Sequence, residues 1–168
     1  MRIFVINTLV LVLLALVSVL VYIRIAPDPV AMVHRPVPEG AAPGRPVMLP
    51  GGYLMEERFA LPPPDLAARL HPIITATPRT RLLAGDLPAS GGAGHGLSGV
   101  SGRATYVTRS LVFGFPDYTT VEVLPDGAGG SRLRLFARLR YGQGDFGVNR
   151  KRVQGWLARL GPALPARE

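Results

Sequence analysis

The sequence predicts an α+β fold. A transmembrane N-terminal helix leads into a two-layer domain, in which an antiparallel sheet of about four strands is flanked by an N-terminal and a C-terminal helix. Three observations carry this reading. Residues 3–25, IFVINTLVLVLLALVSVLVYIRI, are apolar apart from Asn7, Thr8, Ser18, Tyr22 and Arg24. Residues 131–141, SRLRLFARLRY, alternate with a period of two, as a half-buried strand does. Val153, Trp156, Leu157 and Leu160 recur at i, i+3, i+4 and i+7, one face of a helix.

Taken in chain order, the uncharged run Ile3–Ile23 would be about 31 Å long as a helix, enough to cross the hydrocarbon core. A secretory signal would have a shorter apolar region followed by a small-x-small cleavage site. Here Pro27 follows the Ala26 junction, so residues 1–25 read as an uncleaved anchor. Tyr22 and Arg24 suit its interfacial end. Basic residues nearly balance across the span, with Arg2 before it and Arg24 and Arg35 after it. The very short N-terminal tail favours a signal-anchor orientation, with the domain outside the cytoplasm. Residues 26–61 read as a Pro-rich linker, interrupted by Pro27, Pro29, Pro36, Pro38, Pro43, Pro46 and Pro50 and loosened by several glycines. Within it, YLMEERFAL (53–61) has the character of either an edge strand or a docking segment.

The folded domain is expected over 62–162, with 163–168 as a tail. Leu66, Leu70, Ile73 and Ile74 mark a helical face, with Asp65 as N-cap, a kink at Pro72 and a stop at Pro78. TRLLAG (80–85) suits a first strand. The Gly/Ser-rich stretch 88–101, which contains His95, reads as a surface loop. Strands are then predicted over 103–110, 117–125 and 131–141, the last two joined by the DGAGG hairpin loop at 126–130. In the last strand Leu133, Leu135, Ala137, Leu139 and Tyr141 would face the core. Arg132, Arg134, Arg138 and Arg140 would face outward around Phe136. Asp145 or Gly147 would open the final helix.

Charge is unevenly placed. The chain is +8 overall, with Lys151 its only lysine. Between Ser131 and Leu160 there are eight basic residues against Asp145 alone. Four arginines on one strand face repel one another unless something compensates them. The outer face is therefore either solvated or balanced by Glu122, or it meets anionic lipid headgroups or an acidic partner. No nucleic-acid recognition motif accompanies the basic segment, so nucleic acid is not an expected partner. With no cysteine in the chain, disulfides and thiolate chemistry are excluded.

Two motifs stand out. SLVFGFPDYTTVEV (110–123) places Phe113 and Phe115 with the same parity around Gly114, so an extended chain would bury both rings on one side, with Pro116 and Asp117 turning the chain into the next strand. YGQGDFGVNRKRV (141–153) opens a helix with Gly142, Gly144 and Gly147 but matches neither a P-loop nor a dinucleotide fingerprint. An anion could still meet the helix start near Asn149, Arg150 and Arg152. His34, His71 and His95 lie far apart in sequence, with no GxSxG or HExxH nearby. No catalytic residue, metal ligand or cofactor is assigned.

Together these motifs make the chain similar to a bacterial and plastid family, domain of unknown function 1499. The resemblance rests on Arg109, Ser110, Phe113, Phe115, Pro116 and Asp117 in the first motif. In the second it rests on Arg138, Arg140, Gly142, Asp145, Gly147, Val148, Asn149, Arg152 and Val153. It spans about residues 62–160 and implies the α+β fold; the family brings no established activity. Many members carry a Cys-containing segment ahead of the domain, which this chain lacks.

The leading expectation is a non-enzymatic, membrane-anchored binding or accessory module. It would sit in the inner membrane through residues 3–25, with its domain on the periplasmic side. Its candidate ligand or anion contacts are Asp117, Arg109, Arg138, Arg140, Asp145, Asn149 and Arg152. A small-ligand or hydrolytic site would need Asp117, Asp145, Asn149 and Arg140 to converge. A third reading makes the protein a subunit of a larger membrane complex.

Overall fold

The computed structural model describes residues 1–87, 102–144 and 146–164. A long helix α1 (Arg2–Ile25) is followed by a single turn α2 (Val30–Val33), strands β1 (Val47–Leu49) and β2 (Gly52–Phe59), and helix α3 (Pro63–Thr75). Four strands come next, β3 (Thr80–Asp86), β4 (Gly102–Arg109), β5 (Pro116–Pro125) and β6 (Ser131–Leu139), and helix α4 (Val148–Leu160) closes the domain.

The strands form one antiparallel sheet of six, in the order β1-β2-β6-β5-β4-β3. Residues with odd numbers on β2, β5 and β6 point to one face. There Tyr53, Met55, Phe59, Val121, Val123, Leu133, Leu135 and Ala137 meet Ala104 and Tyr106 of β4. Helices α3 and α4 cover this face with Leu66, Leu70, Ile74, Val153, Trp156 and Leu160, all buried. Two polar pairs lie at this core. His71 Nδ1 lies 2.9 Å from the Tyr106 hydroxyl, and the Trp156 indole donates to Thr77 Oγ1 at 2.7 Å. Burial pushes the Tyr106 phenol pKa well up, so that hydroxyl keeps its proton.

Six strands replace the expected four because residues 47–59 belong to the sheet. β2 is no edge strand: it lies between β1 and β6, paired from Gly52↔Arg138 to Phe59↔Ser131. Its charges hid it, because Glu56 and Glu57 interrupt the apolar alternation, yet Glu56 is buried through its arginine partners. Nor does the segment after α1 hang free. Ala26, Val33 and Val37 are buried, and α2 with its flanks crosses the second face of the sheet. Helix α3 begins one turn of chain earlier than an Asp65 cap would allow, with Pro62 at the cap and Pro63 and Pro64 in its first turn. Gly147, in a left-handed conformation with φ 77°, precedes α4. The loop at 88–101, with His95, lies outside the described residues.

Helix α1 is apolar along its whole length, and nearly all of its side chains are exposed. Its 24 residues are about 36 Å long, enough to span a bilayer. Its last turn meets the end of the sheet at which β4 finishes and β5 begins: Arg109 Nη1 donates to the carbonyls of Ile23 and Gly114, both at 3.2 Å.

Candidate functional site

The second face of the sheet is made of the charged half of each strand. Across it runs a row of alternating sign, Glu56 on β2, Arg134 on β6, Glu122 on β5 and Arg103 on β4, set opposite one another by the strand register. Arg134 Nε is 3.5 Å from Glu56 Oε2 and its Nη1 3.4 Å from Glu122 Oε2, while Arg103 Nε is 2.7 Å from Glu122 Oε1. The outer face is thus neither solvated nor open at this row: the Arg134 side chain is 9 % exposed. Glu122 supplies the compensation anticipated for it, and Glu56 supplies as much again.

A strap formed by residues 27–39 closes this face from above. Val33 packs on Val107 and Tyr118, and main-chain groups of the strap satisfy the sheet's charges. Thr120 Oγ1 donates to the Val33 carbonyl at 3.1 Å and Arg138 Nη2 donates to the same oxygen. Arg134 Nη2 donates to Val37 and Pro38 carbonyls at 3.0 and 2.7 Å, and the Val37 amide donates to Glu122 Oε1 at 3.1 Å. Proline suits such a segment, since its carbonyls remain free to accept while its fixed φ limits competing conformations. His34 Nδ1 lies 3.0 Å from Thr105 Oγ1. Burial and the nearby Arg103 hold its pKa below the ordinary imidazole value.

Asp28, between Pro27 and Pro29, is the centre of the strap's grip. Its side chain is only 6 % exposed. Arg81 Nη2 lies 2.6 Å from Oδ2, and Oδ1 accepts from the Tyr118 hydroxyl at 2.8 Å with Arg109 Nη2 at 3.3 Å and Arg140 Nη1 at 3.8 Å. One carboxylate therefore serves three guanidiniums and a phenol. Burial, reinforced by Asp28, pushes the Tyr118 pKa up to about 12, so the phenol donates throughout the physiological range.

Beside this cage, at the junction with α1, a cleft of about 440 Å³ is lined by Arg24, Arg79, Arg81 and Arg109 with Thr80, Val107, Ser110, Leu111 and Gly114. Such a volume is in the range of small-ligand sites. Arg24 Nη2 donates to the Val112 carbonyl at 2.6 Å, and Arg79 Nε donates to the Arg109 carbonyl at 3.0 Å. These bonds fix the side chains while leaving other donors of each guanidinium for a ligand. Among the described residues the acid that pairs with this set is Asp28, which meets Arg81 and Arg109, so the four arginines hold excess positive charge there.

The first motif builds the cleft's far wall. Gly114, at φ 74°, lets residues 110–115 close a tight turn, with the Ser110 amide donating to the Phe115 carbonyl at 2.9 Å and the Phe115 amide to Ser110 Oγ at 3.0 Å. The motif is therefore a corner, but its rings do not bury in the core. Phe113 is 49 % exposed; it leans on Phe115, which meets Tyr141 edge-on. Equal parity predicts a shared side only in an extended chain, and Gly114 bends this one.

The sequence-predicted site residues divide between the two faces. Arg109, Arg138 and Arg140 lie under the strap, and Arg109 and Arg140 meet at Asp28. Burial and nearby Arg35 lower the Arg138 pKa. Asp117 points to the helix side, where Arg152 Nη2 lies 2.6 Å from its Oδ2, and Asn149 is buried on α4. Asp145 lies outside the described residues. Arg140 and Asp117 thus work on opposite faces. Sequence reasoning missed Asp28, Tyr118, Arg24, Arg79 and Arg81. One signal was available: Asp28 is the first acid after the apolar helix, held between two prolines.

Fold and site together define an α+β domain carried on an apolar helix, with an arginine-rich face sealed by its own N-terminal strap and a cationic cleft at the helix junction. The chain belongs to the family described as proteins of unknown function, DUF1499, whose model matches residues 61–160. β2 and the strap precede that matched region. No curated protein and no solved structure matches the chain significantly.

Proposed function

We propose that this protein is a non-enzymatic binding module, anchored in the membrane by α1, whose junction cleft receives a phosphate-bearing anionic group at the bilayer surface. One observation carries the reading: four arginines converge on a cleft whose wall includes Arg24, in the last turn of the apolar helix. Guanidinium forks suit phosphate oxygens, and the adjoining bilayer would bring headgroups to the cleft mouth. Anionic lipid is the expected source of the phosphate, with the domain on the periplasmic side of the inner membrane. Among the described residues no group of acidic, histidine or cysteine side chains is arranged to hold a metal ion.

Native mass spectrometry of the detergent-solubilised full chain, offered equal amounts of phosphatidylglycerol and phosphatidylcholine, tests this. Preferential retention of phosphatidylglycerol, reduced several-fold by Arg79→Gln with Arg81→Gln, supports the proposal. Equal retention of the two lipids refutes the lipid reading. A thermal shift with inorganic phosphate in the absence of lipid selectivity would redirect the site to a soluble phosphate.

A further inference from the structure

The turn that walls the cleft also carries the most exposed run of three apolar residues among the described residues of the sheet domain. Leu111 is 72 % exposed, Val112 67 % and Phe113 49 %, three consecutive apolar side chains on a six-residue turn. Their position gives them a partner. The turn is bonded to the last turn of α1 through Arg24 Nη2 to the Val112 carbonyl and through Arg109, which bridges Ile23 and Gly114. The uncharged run of α1, Ile3–Ile23, has about the length of the hydrocarbon core. Residues held against Ile23 and Arg24 consequently sit at the level where the helix leaves the bilayer. Arginine and aromatic groups border the same spot, Arg24 beside Val112 and Tyr141 behind Phe115, the mixture that membrane interfaces favour.

We infer that Leu111, Val112 and Phe113 insert into the interfacial layer of the bilayer, so that the domain is seated on the membrane in one orientation rather than swinging from its anchor. The inference rests on α1 being an anchor but not on what the cleft binds. Continuity with α1 argues for lipid as the occupant, because a protein partner at this turn would have to compete with the bilayer surface itself. Such seating would also hold the mouth of the arginine cleft at headgroup level.

The absence of cysteine makes any introduced cysteine a unique labelling site. Full-length Leu111→Cys and Val112→Cys, both at exposed positions, are spin-labelled and reconstituted in phospholipid nanodiscs. Power saturation then compares collisions with oxygen, which concentrates in the bilayer, and with a water-soluble nickel chelate. Val21→Cys in α1 serves as the bilayer reference. Ala128→Cys, in the hairpin loop at the other end of β5 and β6, serves as the aqueous one. The expected result is oxygen-dominated relaxation at 111 and 112, with the sign seen at 21 and opposite to that at 128. Labels at 111 and 112 that behave like 128, while 21 reports bilayer, overturn the inference and leave the anchor standing. An aqueous signal at 21 as well overturns both.

Discussion

Removing the Asp28 carboxylate is the sharpest perturbation of the strap. The side chain is 6 % exposed and faces Arg81, Arg109 and Arg140, whose side chains are 58 %, 25 % and 16 % exposed. The Arg81 pair, mostly in water, contributes little, less than about 1 kcal/mol. The other two guanidiniums would be left facing each other with no acid between them, and the buried Tyr118 hydroxyl would lose its acceptor. Breaking a buried pair from one side costs about 3–5 kcal/mol. Partial exposure of the arginines places Asp28→Ala near the lower end, about 3 kcal/mol. Asp28→Asn keeps an acceptor for Tyr118 and the side-chain volume, so it should lose about half as much. For a domain of this size the losses correspond to falls in Tm of about 9 °C and about 4 °C. Trp156, the only tryptophan and a buried one, reports the transition in detergent by fluorescence. In a Tyr118→Phe background the Asp28→Ala loss should shrink, because the two groups share an interaction. An Asp28→Ala variant within about 0.5 kcal/mol of the wild type would refute the cage.

Alkaline stability follows from Tyr118. Its folded pKa is raised to about 12 from 10.0, so the folded state holds the proton more tightly than the unfolded one. The resulting stabilisation is complete below pH 10 and disappears as pH rises toward 12, amounting to about 2–3 kcal/mol. Denaturant titrations across that window should show a shallower decline for Tyr118→Phe; parallel declines would contradict the assignment. Gly85 offers a separate test of how closely β3 packs on β4 beneath the strap. It sits at φ 72°, and a Cβ there would collide with the Arg103 carbonyl oxygen and meet the His34 ring. Gly85→Ala should cost about 3 kcal/mol through strain and overpacking, visible in the denaturation midpoint, and a neutral outcome would contradict the close approach of β3 and β4 at this position.

Periodicity revealed the parts of this fold whose environment is one-sided. The alternation of β6 and the 3–4 spacing of α4 survive because one face of each meets only apolar neighbours, as Leu133, Leu135, Val153 and Trp156 show. β2 was obscured because its second face is buried among charges: Glu56 is read as a surface residue unless Arg132 and Arg134 are known to lie opposite. The strap was harder still. Its bonds are made largely by main-chain carbonyls of Val33, Val37 and Pro38, and a carbonyl leaves no mark in the sequence. The arginine-rich strand left a solvated face, compensation by Glu122 and an anionic partner open; Glu122 does pair with Arg134, but nothing in the strand pointed to Asp28 and Glu56, each more than fifty residues away along the chain. The cleft combines residues from α1, β3, β4 and the turn after it, a convergence that only the folded chain displays.

Hydrogen exchange of the strap tests the account most directly, since the site depends on residues 27–39 being folded onto the arginine face. The amides of Val33, His34 and Val37 donate to Pro29, Val30 and Glu122 respectively. In the detergent-solubilised full chain they should exchange far more slowly than a free linker, with Asp28→Ala accelerating all three. Exchange of these amides at the rate of an unstructured peptide in the wild-type protein would contradict it.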